Sequence, residues 1–203
     1  MTLRGIDVDW DQSDHPDEVR TFLADADRRV EEFQEAHVRD PIPGFVPCDF
    51  ERVYEGLRTI VGKGMAPGAS FLELGSGMGV VACLAAMLDM ESTGIEIEPE
   101  LVAASEELAT VHGLEVEFVC GSYVPTGGDW LTDEVEEFAW IESGGADAYE
   151  LLGLDLDDFD LVFAYPWPGE ESLVRELFDA YGAGGAMLLT FNGVEDLRLY
   201  RKA

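Results

Sequence analysis

The sequence predicts an α/β chain: a Rossmann-like, doubly wound, mostly parallel sheet with helices on both faces, truncated after strand five. Three observations predict it. From residue 70 onward, short apolar runs alternate with longer segments of helical spacing. The first run, Phe71-Leu72-Glu73-Leu74, ends in the glycine-rich turn Gly75-Ser76-Gly77-Met78-Gly79. A second run, Thr93-Gly94-Ile95-Glu96-Ile97, carries an acid 21 residues after the first of those glycines.

Residues 1–16 are acidic and aperiodic and are expected to form a loose arm. A helical segment spans 17–69. Asp17–Val38 places Val19, Phe22, Leu23, Ala26, Val30 and Phe33 on one face, and Asp40-Pro41-Ile42-Pro43-Gly44 breaks it. A second helix, Asp49–Val61, has Asp49 as its N-cap and Phe50, Val53, Tyr54, Leu57 and Ile60 on its face. Two readings stand for these helices: they cover the sheet, which is the expectation, or they close over a bound ligand. The α/β domain is 70–203. Strand one is followed by a helix over Met78–Met90, and strand two by a helix from Pro99 to Val111. Val116–Val119 is the third strand, Asp160–Ala164 the fourth, Gly169–Tyr181 a helix, and Ala186–Phe191 the fifth strand. An insertion at about 124–159 has a helical pattern over Trp130–Ile141 and a further turn at Asp147–Leu152. It lies near the carboxyl edge of the sheet, so two readings stand: part of an acceptor pocket, or an acidic solvated flap.

Glycines after a strand let the chain turn sharply and let a ligand approach, and the helix that follows offers amide donors. An acid closing the second strand is placed to hydrogen-bond ribose hydroxyls. A dinucleotide site requires Gly-x-Gly-x-x-Gly, but the third glycine position holds Val80, and Glu73 interrupts the strand that such folds keep apolar. The acid-x-Gly-x-Gly-x-Gly loop and the second acid instead resemble the class I S-adenosylmethionine-dependent methyltransferases, over about Ser70–Phe191. The resemblance implies S-adenosyl-L-methionine as cofactor and in-line transfer of its methyl group. It implies that Gly75, Ser76, Gly77 and Gly79 line the methionine moiety, with Glu73 near its amino end. Glu96 would hold the ribose, with Ile97 beside it. Many members have Gly-Asp where this chain has Gly121-Ser122, so Ser122 or a backbone group takes the place of the adenine-binding acid. A full family sheet ends in a hairpin of two strands, and the twelve residues after Phe191 have room for about one.

Tyr165-Pro166-Trp167-Pro168 follows strand four, where methyltransferases place residues that face the acceptor. It shares only the first proline with the Asn/Asp/Ser-Pro-Pro-aromatic loop of the amide and adenine-amine enzymes. Tyr165, Pro166 and Trp167 are read as a substrate wall with Tyr165 as the candidate catalytic residue; the alternative is a rigid turn packed on the next helix. Glu170 and Asp49 are further candidate helpers. The three histidines, His15, His37 and His112, fall in the arm or near helix ends and are read as structural.

With 43 acidic and 12 basic residues the net charge is −31. Such a surface repels phosphate backbones, so nucleic acid is an unlikely partner; a protein or peptide amine, or a small molecule, is the expected acceptor. The acidity has two readings, adaptation to high salt or a cationic partner. Cys48, Cys83 and Cys120 show no paired spacing for a disulfide or a metal, and neither a leader-like segment nor an 18-residue apolar run occurs. The expected setting is the cytoplasm, without metal or membrane. The oligomeric state is open. The runner-up function is a non-catalytic cofactor-binding or assembly protein that keeps the fold.

Overall fold

Alternation along the strands sorts the core into two layers, one on each face of a single sheet. The computed structural model describes residues 2–128, 130, 146–193 and 196–203. Its strands are β1 (Leu3–Ile6), β2 (Ser70–Leu74), β3 (Glu91–Glu96), β4 (Val116–Cys120), β5 (Leu161–Ala164), β6 (Met187–Phe191) and β7 (Leu197–Lys202). They form one sheet in the order β1-β7-β6-β5-β2-β3-β4. β2 to β6 are mutually parallel, and β7 runs antiparallel to both β6 and β1.

Phe71, Leu161, Phe163, Met187 and Leu189 face one layer, with helices α1 (Asp17–Ala36), α2 (Phe50–Gly62), α3 (Val80–Ala86) and α4 (Pro99–His112). Leu72, Leu74, Val162, Ala164 and Leu188 face the other, with α5 (Ala148–Leu152) and α6 (Glu171–Tyr181). The helices of residues 17–69 therefore build the same core as strands β2, β5 and β6. Asp49 caps α2 by accepting from the Arg52 amide at 3.0 Å. Pro99 opens α4, whose buried residues Leu101, Val102, Ser105, Leu108 and Ala109 form the expected face. The helix after the glycine turn is shorter than expected, Val80–Ala86 rather than Met78–Met90: left-handed Gly79 delays its start, and the chain leaves the helix in a turn that ends at left-handed Asp89 (φ 61°). The Asp147–Leu152 turn is a capped helix, with the Asp147 carboxylate accepting from the Tyr149 and Glu150 amides. The helical pattern expected at Trp130–Ile141 lies, beyond Trp130, outside the described residues.

The loose arm expected at 1–16 is corrected. Leu3–Ile6 pairs with β7 in the register Leu3↔Lys202 to Ile6↔Leu199, where burial of Leu199 and the free edge of β7 hold it. The next residues are strapped onto α2. The Arg58 guanidinium donates to the carbonyls of Asp11, Ser13 and Asp14, Lys63 Nζ donates to the Asp9 carbonyl at 2.8 Å, and the Asp11 amide donates to Thr59 Oγ1 at 2.9 Å. The chain after β6 supplies one strand, as its length requires, and the N-terminus supplies the other edge strand.

Candidate cofactor-binding site

Strand β2 delivers Leu74 to the carboxyl edge of the sheet, and the chain then turns through three left-handed glycines, Gly75 (φ 68°), Gly77 (φ 53°) and Gly79 (φ 69°). This is the physical content of the alternating glycine motif, because side chains rarely tolerate that backbone. Gly79 also has no room: a Cβ would lie 2.5 Å from the Phe118 ring and 2.6 Å from Ser105 Cβ. The turn is closed by the Gly79 amide on the Ser76 carbonyl (2.7 Å) and joined to β3 by the Ser76 amide on the Ile95 carbonyl (2.9 Å). Ser76 Oγ is buried with no hydrogen-bond partner among the described residues.

A glycine N-cap has no side chain to cap with, and Glu73 takes over that role. Its Oε2 accepts from the Ala82 amide, in the first turn of α3, at 2.8 Å. One of the helix donors expected to be free for a ligand is therefore already engaged. Burial pushes the Glu73 carboxyl well above its usual range, against the pull of the Ala82 amide.

Glu96 ends β3 facing the same turn. Its Oε2 accepts from the Gly77 amide at 2.7 Å, and its Oε1 accepts from the Ile97 and Glu98 amides at 2.8 and 3.0 Å. One carboxylate thus ties two loops together. Burial raises its pKa, and the three amides offset part of the rise. Oε1 is occupied by two amides, whereas Oε2 accepts only one, so Oε2 keeps a lone-pair direction for a ligand.

The turn and Glu96 border a cavity of about 510 Å³, within the range of small-molecule sites. Glu73, Gly75, Ser76, Gly77, Glu96, Ile97, Ser122, Tyr165, Pro166 and Trp167 all line it, whereas Gly79 packs behind the turn and Asp49 stays at its helix cap. Ser122 is buried at its edge, its Oγ accepting from the Val124 amide at 3.1 Å, and its backbone bonds Ala146 and Ala148. Tyr165 stacks edge-on against Phe191 at 5.3 Å, and burial raises its phenol pKa. A phenol shifted upward is a poor base near neutral pH, which favours an orienting role over proton abstraction. The Tyr165–Pro168 turn is also closed onto α6, with the Glu170 amide donating to the Trp167 carbonyl at 2.9 Å. It both lines the cavity and packs on the helix.

Sequence reasoning missed the residues between α1 and α2. Phe45 and Cys48 line the cavity, and the Phe45 ring covers Gly77, where a Cβ would lie 3.1 Å from it. Tyr123, Asn192 and Gly193 also contribute. The Pro-rich break at 41–47 marks a loop but does not say where the loop folds back. Two of the histidines join helices: His112 Nε2 lies 3.0 Å from Asp25 on α1, and His37 Nε2 lies 3.1 Å from Glu100 on α4. Among the described residues there is no cluster suited to a metal ion, and no helix is long and apolar enough to cross a membrane.

No family model matches the chain, and no curated protein does. Solved structures do. An RNA methyltransferase from Salinibacter ruber in complex with S-adenosyl-L-homocysteine aligns with 77% of this chain and 92% of its own, at 20% identity and a TM-score of 0.52. A methyltransferase from Geobacter sulfurreducens aligns with 93% of this chain and 99% of its own, at 14% identity and a TM-score of 0.53. The sheet order, the glycine turn after β2 and these likenesses agree: the chain has the class I S-adenosylmethionine-dependent methyltransferase fold.

Proposed function

We propose that this chain binds S-adenosyl-L-methionine and transfers its methyl group, in line, to an acceptor that is a protein or peptide amine or a small molecule. The observation that carries the reading is the Glu96 carboxylate, held by three amides against the glycine turn at the rim of the cavity. The residues present fit the cofactor. Glu96 Oε2 has a lone-pair direction left for a ribose hydroxyl, Ile97 and Ser122 would flank the adenine, and the Gly75–Gly77 backbone leaves room for the methionine portion.

The bound sulfonium would supply an already activated methyl group. The chain then has to position the acceptor, and proximity of that kind contributes roughly 7–11 kcal/mol. Tyr165, Pro166 and Trp167 serve as the positioning wall, with Tyr165 orienting the acceptor rather than removing its proton. Cys48, Cys83 and Cys120, all free thiols, suit a reducing cytoplasm.

Calorimetry with S-adenosyl-L-methionine, S-adenosyl-L-homocysteine and NADH tests the cofactor. Binding of the two sulfur compounds and not of NADH is expected, and the reverse would refute the reading. Transfer of labelled methyl groups to lysate fractions tests turnover. Cofactor binding with no label in any protein, nucleic-acid or metabolite pool would leave a binding protein that keeps the fold.

A further inference from the structure

The cavity runs along the carboxyl ends of β3, β2, β5 and β6, from Glu96 at one side to Asn192 at the other. Three inter-strand spacings separate those ends, about 14 Å, which is room for two ligand portions side by side. On the reading above, the Glu96 side belongs to the cofactor. Past the glycine turn, the loop after β5 walls the cavity with Tyr165 and Trp167 and brings in one deeply buried acid, Glu170, 6% exposed.

Charge around the whole cavity is one-signed. Five glutamates line it (Glu73, Glu96, Glu98, Glu170 and Glu171), and among the described residues no lysine, arginine or histidine does. Two of the five have other duties, Glu73 at α3 and Glu96 at the cofactor side. Glu98 follows Glu96 on that same side, and Glu171 Oε2 accepts from the Gly169 amide at 2.9 Å. Glu170 precedes α6 and accepts from the Trp167 amide, 3.3 Å away, which holds its carboxylate next to the Tyr165–Pro168 turn.

We infer that the acceptor side of the cavity selects a cationic amine, and that Glu170 is its specificity-determining residue. The inference rests on the proposed methyl-transfer reading. An anionic acceptor would meet the Glu170 and Glu171 carboxylates with no lysine, arginine or histidine among the described lining residues to offset them, so it binds more weakly than a cation. An ammonium gains a charge-assisted bond to Glu170 and a cation–π contact with Tyr165 or Trp167. A neutral alcohol of the same shape gains neither. Glu170 thus acts in binding; before its lone pair reacts, the ammonium must release a proton, to the Glu170 carboxylate that holds it or to solvent.

The test uses the full chain saturated with S-adenosyl-L-homocysteine and three matched probes, hexylammonium, hexanol and hexanoate, followed by ligand-observed NMR titration. Hexylammonium is expected to bind at least about tenfold more tightly than hexanol, with hexanoate weakest. Glu170→Gln should erase the advantage of hexylammonium and leave hexanol unchanged, whereas Glu171→Gln should preserve the order. Unchanged affinity for S-adenosyl-L-homocysteine in both variants shows that the fold and cofactor side are intact. The inference is overturned if hexanol or hexanoate matches hexylammonium, if hexylammonium does not bind at millimolar concentration, or if the preference survives Glu170→Gln. Failure of the unsubstituted chain to bind S-adenosyl-L-homocysteine would instead overturn the methyl-transfer reading itself.

Discussion

Glu96 closes the loops at the ends of β2 and β3, and in the proposed reading its Oε2 also accepts from a ribose hydroxyl. Removing it should cost far more than removing its neighbour. Glu96→Ala is expected to weaken S-adenosyl-L-homocysteine binding roughly 10- to 100-fold, the equivalent of one charge-assisted bond, and Glu98→Ala less than about threefold. Calorimetry on both variants checks this, and equal losses would place the ribose elsewhere. Glu73 makes a different, pH-dependent prediction. Its folded pKa is raised, so its contribution to stability is fully present below the unfolded value, about 4.3, and declines as pH rises through the folded one. Glu73→Gln keeps an oxygen for the Ala82 amide and has no charge to bury. The variant should match the parent in stability near pH 4 and exceed it increasingly toward pH 8, measured by urea unfolding at constant high salt. A constant difference across that range would mean that the carboxyl is not buried as described.

At the scale of elements, the N-terminal strand decides how the sheet ends. β1 covers the free edge of β7, which would otherwise present unpaired amides and carbonyls to other chains. Deleting residues 2–6 is expected to lower the melting temperature by more than about 5 °C, corresponding to a loss of roughly 2 kcal/mol in a chain of this size. It should also promote self-association, seen as earlier elution on size exclusion. A deletion that melted and eluted like the parent would show β1 to be dispensable. The loop between α1 and α2 makes the same point at the site: Phe45 covers Gly77, although 32 residues of sequence separate them.

For the whole molecule, charge is the dominant property. A net charge of −31 places strong self-repulsion on the folded chain, and salt screens it, with a Debye length of about 3 Å at 1 M. We expect native circular dichroism to be lost on desalting and the melting temperature to rise between about 0.1 and 2 M potassium chloride. A fold indifferent to salt would favour a cationic partner as the reason for the acidity. The cationic acceptor inferred from the cavity is a separate matter, because Glu170 is inside the protein and screened far less than the surface acids.

By itself the sequence determined the period-two strands and the period-3.6 helices, and thereby the layered α/β architecture. It also located the glycine turn and Glu96. Those features are local: side-chain alternation, left-handed glycines and an acid at a strand end are written in consecutive residues. Tertiary structure alone decided the rest. That Leu3–Ile6 is a strand follows from the edge of β7, since four residues without an apolar pattern have no reason to extend until a partner offers hydrogen bonds. That Glu73 caps α3, that Phe45 and Cys48 reach the cavity, and that Glu170 is a buried acid among dozens of solvated ones are all matters of which segments meet. Burial, and the chemistry it confers on a carboxylate, is a property of neighbours far away in the chain.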